Sequence, residues 1–134
     1  MLILIFIAAT LAFLSYDIND PSWNNVIDKT VANFLGLPGS YVSDLLIQSL
    51  GFSAYVLALP LFTWGWRIIT LKGLPFIFMH LLILPLLVMA AAVTLSTLPI
   101  HNSWPLDNIG LGGFIGQMLL GYIQSAIAWG GVDF

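Results

Sequence analysis

The chain contains 134 residues and no cysteine, which excludes disulfide bonds, thiolate metal ligands and cysteine nucleophiles. Glutamate is also absent, so all six acidic residues are aspartates. Only three residues are basic, and the net charge of −3 excludes the basic surface that a nucleic-acid-binding domain needs. We therefore expect any contact with DNA to be made outside this chain.

Charged residues are also missing from three long stretches: from Asp44 to Arg67, from Lys72 to Asp107, and from Asp107 to Asp133. A helix rises about 1.5 Å per residue, so roughly 20 apolar residues cross a hydrocarbon core of about 30 Å. Each stretch is long enough. Hydrophobic residues make up 60% of the chain and charged residues 7%, against about 25% charged residues in soluble domains. The composition predicts an all-α membrane protein.

We predict four transmembrane helices, of which the first is an apolar segment at the start of the chain. The predicted spans cover residues 1–15, 45–70, 74–99 and 109–132, joined by loops 16–44 and 100–108 and by a turn at 71–73. The first segment reaches only about 22 Å, so we expect the chain to start inside a truncated helix. A signal peptide is the less favoured alternative, because no basic region precedes the apolar stretch.

The first loop contains a sequence that is typical of a helix start. Asp20 can accept hydrogen bonds from free N–H groups, and Pro21 suits the first helical position, with Ser22 and Trp23 following. Apolar residues then recur at helical spacing up to Gly36. We predict a short amphipathic helix here, which either lies on the membrane surface or packs on the ends of the spans.

The orientation follows from the basic residues Arg67 and Lys72, which flank the turn between the second and third spans. Basic residues near the ends of membrane helices are retained in the cytoplasm. The turn is therefore predicted to be cytoplasmic and both long loops periplasmic, and four spans return both termini to the cytoplasm. Loop aromatic residues, Trp104 among them, would then lie at the outer membrane interface.

Small and polar residues follow one face of the predicted fourth span. This stripe consists of Gly110, Gly113, Gln117, Gly121, Gln124 and Ala128, and a GxxxG spacing at Gly112 and Gly116 lies beside it. Helices in lipid associate through close backbone approach at small residues and through side-chain hydrogen bonds. We predict a helix contact along this face, within the subunit or between subunits. Ala92 and Ser96 of the third span are a plausible counterpart.

No constellation for catalysis, cofactor binding or metal binding is visible. The aspartates lie in loops or at span boundaries, and no GxxxxGK[ST] phosphate loop occurs. His80, about two turns into the third predicted span, is the only candidate for the ionisable residue that an ion or proton pathway needs, and it lies near the interface. We favour a histidine hydrogen-bonded between helices over a proton relay or haem ligand. His101 is interpreted as a solvated loop residue. The lack of a mid-membrane acid disfavours the alternative function, a small ion or solute transporter or a membrane subunit of a respiratory complex.

Several short motifs resemble one known family. They are the Ser15-Tyr16-Asp17 sequence, the run from Asp20 to Asn24, the run from Asn33 to Asp44, Gly65-Trp66-Arg67, and the stretch from Gly112 to Gly116. Together they resemble the amino-terminal four-helix membrane domain of the FtsK/SpoIIIE DNA translocases. The resemblance covers nearly the whole chain.

The resemblance implies a multi-pass anchor in the bacterial inner membrane at the division septum. In that family a linker and a hexameric RecA-like ATPase follow on the cytoplasmic side, and neither lies in this chain. ATP and Mg would belong to that motor, and so would contact with DNA. The implied partners of this segment are the bilayer, further copies of itself and other septal membrane proteins. Its implied role is anchoring and assembly in cell division and chromosome partition, without catalytic residues.

Overall fold

The computed structural model describes residues 1–99, 104–106 and 109–130. This part of the chain folds into helices and contains no strand, as the all-α prediction requires. The helices are α1 (Leu2–Leu14), α2 (Gly36–Leu50), α3 (Ser53–Ile69), α4 (Ile77–Ser96) and α5 (Gly113–Trp129). His101, most of its loop and the last residues of the predicted fourth span lie outside the described residues.

The predicted second span, residues 45–70, is not a single helix, because the chain breaks between α2 and α3. The two helices differ in direction by 118°. Gly51 follows α2 with a φ of 60°, in the left-handed region that glycine adopts without steric cost. The backbone N–H of Phe52 then donates to the carbonyl oxygen of Leu111, 2.8 Å away, instead of continuing the helix. Helical periodicity persists on both sides of the break, so the sequence pattern conceals it.

Within the described ranges, α4 has the length and apolar composition of a membrane-crossing helix. The bent pair of α2 and α3 would pass the same test if it were counted as one span. Helix α1 has 13 residues, which is shorter than the roughly 20 that cross a bilayer, and α5 has 17. Most of the large apolar side chains on α4 are exposed on the protein surface, as expected for a helix that faces lipid.

The amphipathic helix predicted in the first loop is also absent. Residues 16–35 are turns, bends and irregular backbone, and helix α2 begins at Gly36, where the predicted helix was to end. The physical reason lies in polar side chains that bind the loop's backbone N–H groups over long distances along the chain. Such side-chain bonds offer the backbone an alternative to the helical pattern.

Helices α1 and α3 pack in opposite directions, which defines two ends of the molecule. At one end the start of α1 meets the end of α3, where a Cβ added to Gly65 would lie 2.6 Å from Cγ1 of Ile3. At the other end the rings of Phe13 and Tyr55 are 5.3 Å apart. We call the first the basic end, because the connection that contains Arg67 and Lys72 lies there, and the second the loop end. Helix α5 packs on α4 and α2.

The small hydrophobic core lies at the loop end. Its buried residues are Phe13, Ile47, Ala54, Ala58, Trp104 and Leu106. The Trp104 ring stacks on Phe52 at a centroid distance of 4.7 Å, and its indole Nε1 donates to the carbonyl oxygen of Ile109 at 2.8 Å. With 8% of its surface exposed, Trp104 belongs to the core at this end of the molecule, and its position at the outer membrane interface stays a prediction.

Candidate functional site: the loop cluster and the glycine contacts

Asp20 organises the first loop from a buried position, with 2% of its surface exposed. Its Oδ1 accepts the backbone N–H of Ala32 at 2.8 Å, and its Oδ2 accepts that of Asn33 at 2.9 Å. Hydrogen bonds to a charged group contribute about 1.5–3 kcal/mol each to stability. The predicted role of Asp20 as the cap of a following helix is wrong: the carboxylate closes a loop instead.

Asn33 connects this loop to two helices. Its Nδ2 donates to the carbonyl oxygen of Ala12 at 2.9 Å and to Oγ of Ser43 at 3.2 Å, while its Oδ1 accepts the N–H of Leu35 at 3.1 Å. The end of α1, the loop and α2 therefore meet at one buried amide. We did not single out Asn33 as a site residue, and its one signal was its place in the motif that precedes Gly36.

The residues that follow Asp20 are turn residues rather than the first turn of a helix. The carbonyl oxygen of Pro21 accepts Oγ–H of Ser40 at 2.9 Å, and the N–H of Ser22 donates to the carbonyl oxygen of Asn25 at 2.9 Å. Pro21 and Ser22 are buried. Trp23 is 73% exposed and lies edge-on to the ring of Tyr41 at 5.4 Å.

A chain of four polar side chains continues the cluster along α2. The hydroxyl of Tyr16 donates to Oδ1 of Asp44 at 3.0 Å, and Nε2 of Gln48 donates to the same oxygen at 2.6 Å. Nδ2 of Asn24 donates to Oε1 of Gln48 at 2.9 Å. Burial, with a further contribution from the Asp44 carboxylate, raises the pKa of Tyr16 well above its usual range, so that its phenol stays a hydrogen-bond donor. Three of these four side chains, Asn24, Asp44 and Gln48, line a cavity of about 310 Å³ beside Trp23.

The two glycines of the predicted GxxxG spacing, Gly112 and Gly116, pack directly against α4. A Cβ added to Gly116 would lie 2.5 Å from Oγ of Ser96 and closer still to the carbonyl oxygen of Ala92, and Gly112 is equally crowded by the same two residues. Ser96 Oγ–H donates to the Ala92 carbonyl oxygen at 2.9 Å. The structure thus brings Gly112 and Gly116 together with the two residues of the third span that we named as a counterpart. Only hydrogen fits at the two glycine positions.

The start of the small-residue stripe meets the break between α2 and α3. A Cβ added to Gly113 would lie 2.5 Å from the backbone nitrogen of Gly51, and Gly113 has a φ of 69°. Gly110 faces the side chain of Gln117, with 3.0 Å between its added Cβ and Nε2. The first two stripe positions therefore make contacts within the subunit.

The rest of the stripe faces outward. Gln117, Gly121, Gln124 and Ala128 are exposed on the surface of α5. A Cβ added to Gly121 would meet no other atom within 4 Å. The face that we predicted as a single helix contact is therefore divided between an intramolecular part and a surface part.

The basic residues and His80 lie at the opposite end of the molecule from the loop cluster. Arg67 Nε donates to the carbonyl oxygen of Gly73 at 3.2 Å, and Lys72 is exposed. Nδ1 of His80 lies 2.9 Å from the carbonyl oxygen of Phe76, so this nitrogen carries the proton of that bond. The hydrogen bond stays within one segment of the chain, which corrects our prediction of a histidine bonded between two helices. Among the described residues no three His, Cys, Asp or Glu side chains converge as a metal site would require.

Comparison with known proteins identifies the family. A family model for the 4TM region of DNA translocase FtsK/SpoIIIE matches residues 1–132. The chain belongs to this family. A relative named DNA translocase FtsK from Brucella suis biovar 1 is 34% identical over 125 residues, which cover 87% of this chain and 14% of that protein. No solved structure matches the chain.

Two further relatives with the same name show the same pattern. The protein from Bradyrhizobium diazoefficiens is 32% identical over 112 residues, covering 84% of this chain and 14% of the relative. The protein from Azospirillum brasilense is 50% identical over 56 residues, covering 40% of this chain and 9% of the relative. The chain thus spans a small part of the length of these relatives. It is the membrane region of this family, not the motor, and the family prediction is confirmed.

Proposed function

We propose that this chain anchors a DNA translocase in the bacterial inner membrane at the division septum and promotes the assembly of its motor. The observation that carries this proposal is the match of residues 1–132 to the 4TM region of DNA translocase FtsK/SpoIIIE. ATP hydrolysis with Mg and contact with DNA are assigned to a motor outside this chain. The segment itself would act in cell division and chromosome segregation without catalysis.

The arrangement of the helices supports a topology with both termini in the cytoplasm. The chain start and the connection with Arg67 and Lys72 share the basic end, while the loop that contains Asp20 and Asp28 lies at the opposite end. Basic residues favour the cytoplasmic side, so the loop end would face the periplasm. In this proposal the predicted span 45–70 crosses the membrane as α3, whose 17 residues reach about 26 Å, and α2 is held at the loop end.

The exposed half of the stripe on α5 supports contact with a second copy of the chain. Gln124 and Gln117, whose side chain also lies against Gly110, are exposed on the outside of a predicted span, where a polar group without a partner is costly. Gly121 leaves open space between them, so another backbone could approach closely. Linking several motors through such contacts would raise their effective local concentration and favour ring assembly.

The proposal is tested in the full-length translocase with a fluorescent fusion. Deletion of residues 1–132 should disperse the fusion from the septum. Replacement by an unrelated membrane domain of the same topology is the matched control, because it restores membrane attachment alone. It should leave the fusion distributed around the cell membrane. A motor that still localises and assembles normally without its own helices would contradict the proposal.

A further inference from the structure

We propose that a cavity between α3 and α4 at the basic end binds the phosphate group of an anionic phospholipid. The cavity has a volume of about 170 Å³. Its lining includes Thr63, Trp64, Arg67, Pro75 and His80. A site that holds one water needs only about 10–15 Å³ by a comparable measure, so the space admits a larger polar group. This inference rests on the membrane placement proposed above, and not on septal localisation or orientation.

Arg67 is held in position to bind an anion. Its side chain is half-buried, and the bond from Nε to the carbonyl oxygen of Gly73 fixes the plane of the guanidinium. A backbone bond from the N–H of Lys72 to the carbonyl oxygen of Arg67, at 3.0 Å, closes the same turn. The guanidinium has five N–H donors, of which the Nε–H is used here. The remaining donors match the geometry of phosphate oxygens, which arginine binds with two parallel hydrogen bonds.

Helices α3 and α4 and the connection between them supply no acidic partner for Arg67. No acidic residue occurs between Asp44 and Asp107 in the sequence, so α3, α4 and their connection contain none. The acidic residues of the first loop lie at the opposite end. Arg67 and Lys72 therefore create a local positive potential near the membrane surface, which attracts anionic lipid headgroups.

The other lining residues favour a lipid over free phosphate. His80 uses Nδ1 to bind Phe76, which leaves Nε2 as its second polar atom. Trp64 and Pro75 provide apolar walls beside the charged group. Trp66 and Phe78, which adjoin the lining residues Arg67 and Ile77 in the sequence, are exposed large apolar groups along which acyl chains can pack. A lipid supplies both a phosphate for Arg67 and apolar chains for this surface, whereas a free anion supplies only the first.

The test uses the chain in nanodiscs that contain equal amounts of phosphatidylcholine and phosphatidylglycerol, followed by native mass spectrometry of the lipids that stay bound. Both lipids carry a phosphate, but the choline cation of phosphatidylcholine offsets its charge and is repelled by Arg67 and Lys72. Wild type should therefore retain phosphatidylglycerol with about tenfold preference. Arg67→Gln should lose most of this preference. Lys72→Gln removes the same charge from the same turn but lies outside the cavity lining, so it should retain most of it.

Other outcomes would overturn the inference. Equal losses in Arg67→Gln and Lys72→Gln would show a diffuse surface charge effect, and a wild type without preference would show that the cavity does not select an anionic phospholipid. Tight binding of inorganic phosphate in phosphatidylcholine nanodiscs would point to a soluble anion instead. Arg67→Lys keeps the charge if the glutamine variant fails to fold. Its preference should fall about threefold, because lysine cannot make the paired contact, and an unchanged preference would contradict the role of the guanidinium.

Discussion

Asn33 donates a hydrogen bond from its buried side-chain amide to the carbonyl oxygen of Ala12, 2.9 Å away. This bond joins the irregular first loop to the end of α1. The backbone N–H of the same residue is bound by Asp20. The first loop is therefore ordered by buried side-chain hydrogen bonds, and Trp23 is exposed on its surface.

We expect Asp20→Asn to destabilise the protein by about 1–3 kcal/mol, because an amide has one acceptor oxygen and leaves the N–H of Ala32 or Asn33 without its partner. Thermal unfolding in detergent and proteolysis within the loop measure the effect. Asp28→Asn is the matched control, since Asp28 is exposed and the charge change is the same. Equal effects of the two substitutions would contradict the role of Asp20.

We expect Gly116→Ala to destabilise the contact of α4 with α5 by about 1–3 kcal/mol, because the added methyl group would overlap Ala92 and Ser96. In the monomer the same substitution at Gly121 should be neutral or stabilising by up to about 1 kcal/mol, since that position is open within one subunit and alanine favours helix. The thermal unfolding midpoints of the two variants, each compared with wild type, measure these changes in stability. A loss of stability at Gly121 as large as that at Gly116 would be incompatible with this packing.

Because the chain has no cysteine, a single introduced cysteine can report the contact between copies. Gln124→Cys should form disulfide-linked dimers in membranes under mild oxidation, because the outward half of the stripe is proposed to meet a second copy. Ile123→Cys is the control at the same depth, and its side chain points about 100° away around the helix. Equal cross-linking at both positions would indicate random collision.

The same absence of cysteine allows a direct test of topology. Lys29→Cys in the first loop should react with a membrane-impermeant maleimide in intact spheroplasts, because that loop is proposed to be periplasmic. Lys72→Cys in the basic connection should react only after permeabilisation. The reverse pattern would overturn the proposed orientation, and both residues are exposed, so steric protection does not explain a difference.

The raised pKa of Tyr16 predicts a pH dependence at high pH. Its phenol is stabilised in the neutral form by burial and by Asp44. The resulting stability is fully present below the ordinary tyrosine pKa of about 10 and is lost as pH rises through the higher value of the folded state. Ultraviolet titration of wild type against Tyr16→Phe should show one phenolate that forms later than free tyrosine. A component that titrates like free tyrosine would contradict the buried bond.

The loop end shows where prediction from the sequence failed. In the sequence, Asp20 precedes a run of apolar residues at helical spacing. The same pattern is typical of a surface helix with an N-cap residue. The hydrogen bonds that set this structure join residues far apart in the sequence. Asp20 accepts from residues 12 and 13 positions away, and Asn33 donates to a residue 21 positions away. No local pattern records such partners, so the alternative to a helix was not visible.

The membrane class, the family and the close-packing strip at Gly112 and Gly116 could all be predicted from the sequence. Long runs without charge and short glycine spacings are local properties, and their physical consequences follow wherever the chain folds. The break at Gly51, the closed loop around Asp20 and the division of the α5 stripe became visible only in the folded protein. Each of these depends on which distant backbone comes within contact distance, because a hydrogen bond or an excluded methyl group acts only over a few ångströms.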